Sequence, residues 1–346
     1  VLSWTEPLGS KADTSKSVFD ARRAVLDDVY GGILRHLDGV EAILQEEWTA
    51  PEEFARDLLE HSRRFGGKRI RPAMMLLAAE LAGRVQPHHV SLGAVVEMLH
   101  HATLIHDDVL DDSRVRRRVP TLNARWGNEA PVLLGDYVFA RAFALCARLD
   151  LREANLLLSS TAAQMCLGEL TQIAARGRFD LSEADYLEII RKKTASLFGA
   201  SCRLGALGNE VGEELAEALC VFGANFGMAF QIVDDYLDLM GSHEELGKST
   251  TDLLKREWTL PLIALLKRLP EGARRDLCAR LANLEGTEAE RERVRTLVRQ
   301  HEADAYTLQC AAGYAALARR ALEPLKALGP TESLSALTEF VVARRS

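Results

Sequence analysis

The sequence predicts an all-α fold, a single large helical bundle built around a central apolar cavity. Three observations predict it. Apolar residues recur at spacings of three and four along most of the 346 residues. Alternating β-branched runs and hairpin turn signals are essentially absent. Finally, the stretch from His88 to Asp111 is apolar on most of its sides (Leu92, Val95, Val96, Met98, Leu99, Ala102, Ile105), and a helix of that kind must be buried.

Taken in order, residues 1–16 are polar and read as a loose tail, with one domain following over 17–346. From Ser17 to Glu47 the spacing of Val18, Val25, Val29, Ile33, Leu37 and Ile43 is helical, with a break at Gly31-Gly32. Pro51 opens a helix to Arg64 and Pro72 another to Ala82, because proline is tolerated where the first-turn N–H has no partner anyway. Between them lies the basic, glycine-rich loop from Phe65 to Pro72. Residues 113–130 read as a polar loop. Helices are expected at about 131–149, 151–174, 183–207 and 212–240. A second polar loop covers 241–259, and the rest is helical.

Composition narrows the function. The 50 acidic and 43 basic residues give a net charge of -7, which argues against a nucleic-acid partner. The six cysteines are scattered, with no C-x-x-C pair, as expected of buried thiols in a cytoplasmic protein. No uninterrupted apolar run reaches the ~18 residues of a membrane span, and residues 1–17 show no secretory pattern.

The chemistry is concentrated at two helix ends. Asp107, Asp108 and Asp111 form D-D-x-x-D directly behind an apolar run. Positions i and i+4 share a helix face, so Asp107 and Asp111 can hold hard cations through oxygen and leave room for phosphate. One such array is about as well explained as a solvated acidic end, although the dipole disfavours carboxylates at a helix C-terminus. Asp234, Asp235 and Asp238 repeat the pattern. Two helix ends carrying the same array could face each other across a cavity and sandwich a metal–diphosphate cluster. Taken alone, His100 would be a core histidine, Lys193-Thr194 an ordinary surface pair, and Gln231 and Gln172 plain hydrogen-bonders.

Together these stretches, from about Gly66 to Pro261, resemble the trans-isoprenyl diphosphate synthase (polyprenyl synthetase) family, of the medium- to long-chain type. The resemblance implies the isoprenoid-synthase fold and a chain-elongating prenyltransferase. Such an enzyme condenses isopentenyl diphosphate head-to-tail with an allylic diphosphate (dimethylallyl, geranyl or farnesyl), with about three Mg²⁺ ions and as a homodimer. It implies that Lys68, Arg71, His100 and Arg117 hold the isopentenyl diphosphate and that Arg116 holds the allylic one. Lys193, Thr194, Gln231 and Lys248 complete the allylic site, and all six aspartates serve the metals. Thr121, Asn123, Gly135-Asp136, Gly168-Glu169 and Gln172 also fall where the family pattern expects them. The chain departs from that pattern at Arg118 (usually glycine), Ser242 (commonly aspartate), Glu257 (usually lysine) and a 247–253 loop one residue short.

Product length is expected to follow what blocks the growing tail. The residues four and five before Asp107 are Thr103 and Ala102, both small, with Leu99 and Leu158 as deeper candidates. A floor is therefore missing at that depth, and products from C20 to about C40 are expected, shortened by Ala102→Phe. A long product can take the enzyme to a membrane surface without an anchor. Two readings compete with this one. A class I terpene cyclase ionises the same substrates but has no use for Lys68, Arg71 and His100. A non-catalytic partner of another synthase would consume no isopentenyl diphosphate.

Overall fold

A computed structural model describes residues 29–241, 252–284 and 287–344. The tail, Ser242 and Lys248 lie outside these residues. Fifteen α-helices are present among the described residues: α1 Leu34–Glu47, α2 Glu53–Arg63, α3 Ile70–Leu81, α4 Pro87–Leu110, α5 Leu122–Trp126, α6 Glu129–Arg148, α7 Arg152–Ala175, α8 Glu183–Ile190, α9 Ser196–Ala206, α10 Glu213–Met240, α11 Leu260–Arg268, α12 Glu271–Ala282, α13 Glu288–Gln300, α14 Ala303–Ala321 and α15 Glu332–Ala343.

Helix α10 is the axis, packed against α9 and α14, while α4 packs against α3, α6 and α1. The core between them is aliphatic and aromatic, with Phe198, Phe222 and Phe226 fully enclosed. Helix α4 begins with Pro87 at N1, and a reciprocal cap joins Gln86 to His89. Helix α3 starts at Ile70, so Pro72 falls within its first turn, where a missing N–H costs nothing.

Two sequence expectations change. The 113–130 loop contains a two-stranded antiparallel hairpin, β1 Val115–Arg116 and β2 Val119–Pro120, followed by α5. The hairpin left no signal because its two-residue turn is Arg117-Arg118, both at positive φ, where Asn-Gly is the usual solution. The helix expected over 183–207 is interrupted by a π-helical turn, Arg191–Ala195. That turn inserts an extra residue and re-aims the side chains on it.

Two helices, α6 and α10, are long and apolar enough to cross a membrane by length and composition. The sequence's lack of an uninterrupted run does not register this, because each carries scattered polar residues. Helix α10 is a core element, and half of its apolar window is buried inside the protein.

Candidate active site

A cavity of ≈ 680 Å³ opens where the C-terminal ends of α4 and α10 meet α7 and the π turn. Asp107 and Asp111 line it from α4. Asp234, Asp235 and Asp238 line it from α10, Glu169 and Gln172 from α7, and Lys193 and Thr194 from the π turn. Leu104, Phe139, Met165, Leu170, Leu197 and Phe230 supply apolar wall.

Asp108 lies about 100° around the helix from Asp107. It turns away from the cavity into a buried pair, taking Arg116 Nε at 2.9 and 3.0 Å. Burial pushes the Asp107 carboxyl up to about 7, against the downward pull of Lys193, while Glu169 and Asp111 add to the rise. Burial likewise raises Asp235 to about 7, although Tyr186 and Gln231 donate hydrogen bonds to it at 2.7 and 2.6 Å. In carboxylates pressed this way burial outweighs the nearby counter-charge, and their hard oxygens suit a divalent cation such as Mg²⁺. Among the described residues no three His, Cys, Asp or Glu side chains are gathered closely enough to hold an ion by themselves. A cation here would therefore share its coordination with another oxygen source, which is how Mg²⁺ sits beside phosphates.

The π turn places Lys193 Nζ 2.5 Å from Glu169 Oε2. Burial alone would lower the Lys193 pKa, but Asp107 and Glu169 outweigh it and hold the ammonium charged. The close approach of the turn to α7 needs Gly168, where a Cβ would lie 2.5 Å from the Lys193 nitrogen. Thr194 donates to Gln231 at 2.7 Å and Gln231 in turn to Asp235, so a single hydrogen-bonded line joins the π turn to the second aspartate array.

Basic groups gather on another wall. Arg71 lies with its guanidinium 4.2 Å over the Phe198 ring, and its Nε is buried without a hydrogen-bond partner. Burial pushes its pKa down to about 10, partly offset by Glu97 and Asp234. A desolvated guanidinium of this kind is a receptor for an anion. His100 lines the same wall, and burial, then Arg71, hold it well below its usual pKa, so it is neutral. The hairpin turn separates the arginine pair. Arg116 goes to Asp108, while Arg117 Nη1 reaches back to the Phe65 carbonyl at 2.9 Å, beside the glycine-rich loop. Arg69 fixes that loop by pairing with Glu41 and, at 2.7 Å, with the buried Glu97.

Not every proposed site residue comes to the cavity. The Lys68 ammonium lies 4.9 Å over the Phe340 ring, away from the lining. Thr103 lines the cavity, but Leu99, Ala102 and Leu158 are fully buried elsewhere in the core. The reason is helical phase. At about 100° per residue, Thr103 sits about 40° from Asp107 and Ala102 about 140°.

Four residues at the site were not read from the sequence. Tyr186 bonds Asp235. Arg344, near the end of the chain, sets Nη2 2.8 Å from Asp234 Oδ1. Lys255 Nζ lies 2.8 Å from Asp111 Oδ1, and Arg176 Nη2 lies 3.7 Å from the same oxygen. Tyr186 is seven residues before Lys193, a helical spacing that could have marked it. The other three carry no local signal.

A family model described as polyprenyl synthetase matches residues 52–300. The nonaprenyl diphosphate synthase of Mycobacterium tuberculosis is 37% identical over 308 residues, which cover 88% of this chain and 91% of that protein. Component 2 of the heptaprenyl diphosphate synthase of Geobacillus stearothermophilus is 41% identical over 228 residues, 66% of this chain and 70% of that one. A crystal structure of a Caulobacter crescentus polyprenyl synthase, complexed with calcium and isoprenyl diphosphate, superposes with a TM-score of 0.87 at 36% identity, covering 93% of this chain and 98% of that one. The chain belongs to the polyprenyl synthetase family, the trans-isoprenyl diphosphate synthases, and with them to the chain-elongating prenyltransferases.

Proposed function

We propose that the enzyme condenses isopentenyl diphosphate with an allylic diphosphate, the allylic partner seated between the two aspartate arrays and the isopentenyl partner at Arg71, His100 and Arg117. The observation that carries this reading is the facing of Asp107 and Asp111 with Asp234, Asp235 and Asp238 across one cavity, with a separate arginine-rich wall for a second anion. Bound Mg²⁺ would supply electrostatic stabilisation of the departing pyrophosphate. The chain's own groups do the rest. Lys193, held charged beside Asp107, and Arg116 face charge developing on the leaving oxygens. Arg71 and Arg117 offer forked contacts to the other diphosphate, and neutral His100 offers a hydrogen bond rather than a charge. Holding both substrates in one cavity brings the reacting carbons close enough for the allylic C–O bond to break and the new C–C bond to form.

We assign the growing tail to the wall formed by Thr103, Leu104, Phe139 and Met165, where the side chain one turn before Asp107, Thr103, is small. Products of C20 to about C40 are expected; the heptaprenyl name of one relative (C35) falls in the upper part of that range, and the nonaprenyl name of another (C45) lies just beyond it. A cytoplasmic homodimer completes the reading. Helices α6 and α7 expose Val132, Leu133, Leu156 and Leu167, large apolar side chains of the kind that mark an interface.

The test is incubation of the purified protein with Mg²⁺, labelled isopentenyl diphosphate and geranyl or farnesyl diphosphate. Label is expected in polyprenyl diphosphates of C20 or longer. Hydrocarbon release from farnesyl diphosphate alone would instead indicate a cyclase, and no consumption of isopentenyl diphosphate would indicate a non-catalytic partner.

A further inference from the structure

Glu257 stands where the family's pattern has a lysine, and its environment shows that it cannot serve an anion. Its side chain is 7% exposed. One carboxylate oxygen accepts from Arg176 Nε at 2.7 Å and the other from Gln172 Nε2 at 2.5 Å, so its charge is spent against α7. Two residues earlier a cation stands at the site. Lys255 Nζ is 2.8 Å from Asp111 Oδ1, with a side chain only 13% exposed.

This placement is built rather than incidental. The Glu257 N–H closes on the Asp252 carbonyl at 2.9 Å, and the Gly177 N–H, just past α7, bonds the Arg256 carbonyl at 2.9 Å. Arg256 takes φ +57°, a cost carried only where the surroundings impose the turn. Trp258 stacks on Phe179 at 4.8 Å between ring centroids and anchors the far side. The turn therefore leaves Glu257 on the cavity lining with its charge already paired, and seats Lys255 just behind that lining against the Asp111 carboxylate of the first array. Once Asp111 is engaged by a divalent cation, an ammonium at that distance faces whatever anion shares the cation.

We propose that Lys255 is a diphosphate-binding residue of the allylic site, supplying from position 255 the positive charge that Glu257 removes from position 257. This rests on the proposed function for which substrate fills the site, and it assigns no new step to the reaction.

The experiment uses the full chain. Inorganic pyrophosphate is titrated calorimetrically in the presence of Mg²⁺, and KM is measured separately for the allylic and the isopentenyl substrate. Lys255→Met is expected to weaken pyrophosphate binding and raise the allylic KM, each about tenfold, the scale of a lost charged hydrogen bond. The isopentenyl KM stays unchanged, and Lys255→Arg keeps most of the binding. Lys255→Gln serves as the second variant should Lys255→Met fold poorly. Pyrophosphate binding equal to that of the unsubstituted protein, or an equal rise in both KM values, would overturn the assignment. If the unsubstituted protein consumed no isopentenyl diphosphate, the proposed function would fall, but the pyrophosphate titration would still decide the role of Lys255.

Discussion

Arg117 and Arg118 occupy both central positions of the hairpin turn with φ of +50° and +66°. A side chain there costs roughly 1–2 kcal/mol per residue. For Arg117 the cost is tied to position, since the turn sends its guanidinium back to Phe65 and leaves Arg116 facing Asp108. For Arg118 no compensating contact among the described residues accounts for it, and the family's usual glycine is the residue such a φ favours. Arg118→Gly should therefore stabilise the fold by about 0.5–1 kcal/mol after allowance for glycine's greater unfolded-state freedom, read as a higher denaturant midpoint. Side-chain direction also sets the tail wall. Thr103→Phe is expected to shorten the product, because Thr103 lines the cavity. Ala102→Phe would overpack a fully buried core position at a cost of about 1–3 kcal/mol. Sizing the products of both variants decides between the two positions. Shortening by Ala102→Phe alone would contradict the structural placement.

At the scale of elements, the π turn makes Lys193 and Thr194 functional, and its fit depends on Gly168. Gly168→Ala would put a methyl 2.5 Å from the Lys193 nitrogen. The turn must then shift, at about 1–3 kcal/mol in stability, with a larger relative loss in kcat than a surface substitution of equal stability cost. Paired denaturation and kinetic measurements would show it, and unchanged kcat would count against the turn's role. This contrast also explains what the sequence made legible. The long helices, the burial of α4 and the two aspartate arrays follow from periodicity and i, i+4 spacing, which are local. The π turn, the Arg117-Arg118 hairpin and the pairing of Lys255 with Asp111 are imposed by tertiary packing against α7 and the glycine-rich loop. Local pattern misreads them as plain helix or plain loop, and it misses the partners that Tyr186 and Arg344 find far away in the chain.

For the whole molecule, the exposed apolar faces of α6 and α7 and the cavity behind them belong to one account. If two copies pair through these faces, Leu133→Glu combined with Leu167→Glu should yield monomers by analytical ultracentrifugation, both side chains being more than half exposed in the single chain. A chain that remains monomeric without these changes, and pairs only with a different polypeptide, would contradict the homodimer. Above all, the two aspartate arrays are expected to act together on one metal-held diphosphate. The most direct measurement is an anomalous difference map from crystals grown with Mn²⁺ and pyrophosphate. Metal peaks are expected within the cavity, shared between pyrophosphate oxygens and carboxylates from both Asp107/Asp111 and Asp234/Asp238. Metal bound to one array alone, or pyrophosphate seated only on the Arg71 wall, would contradict it.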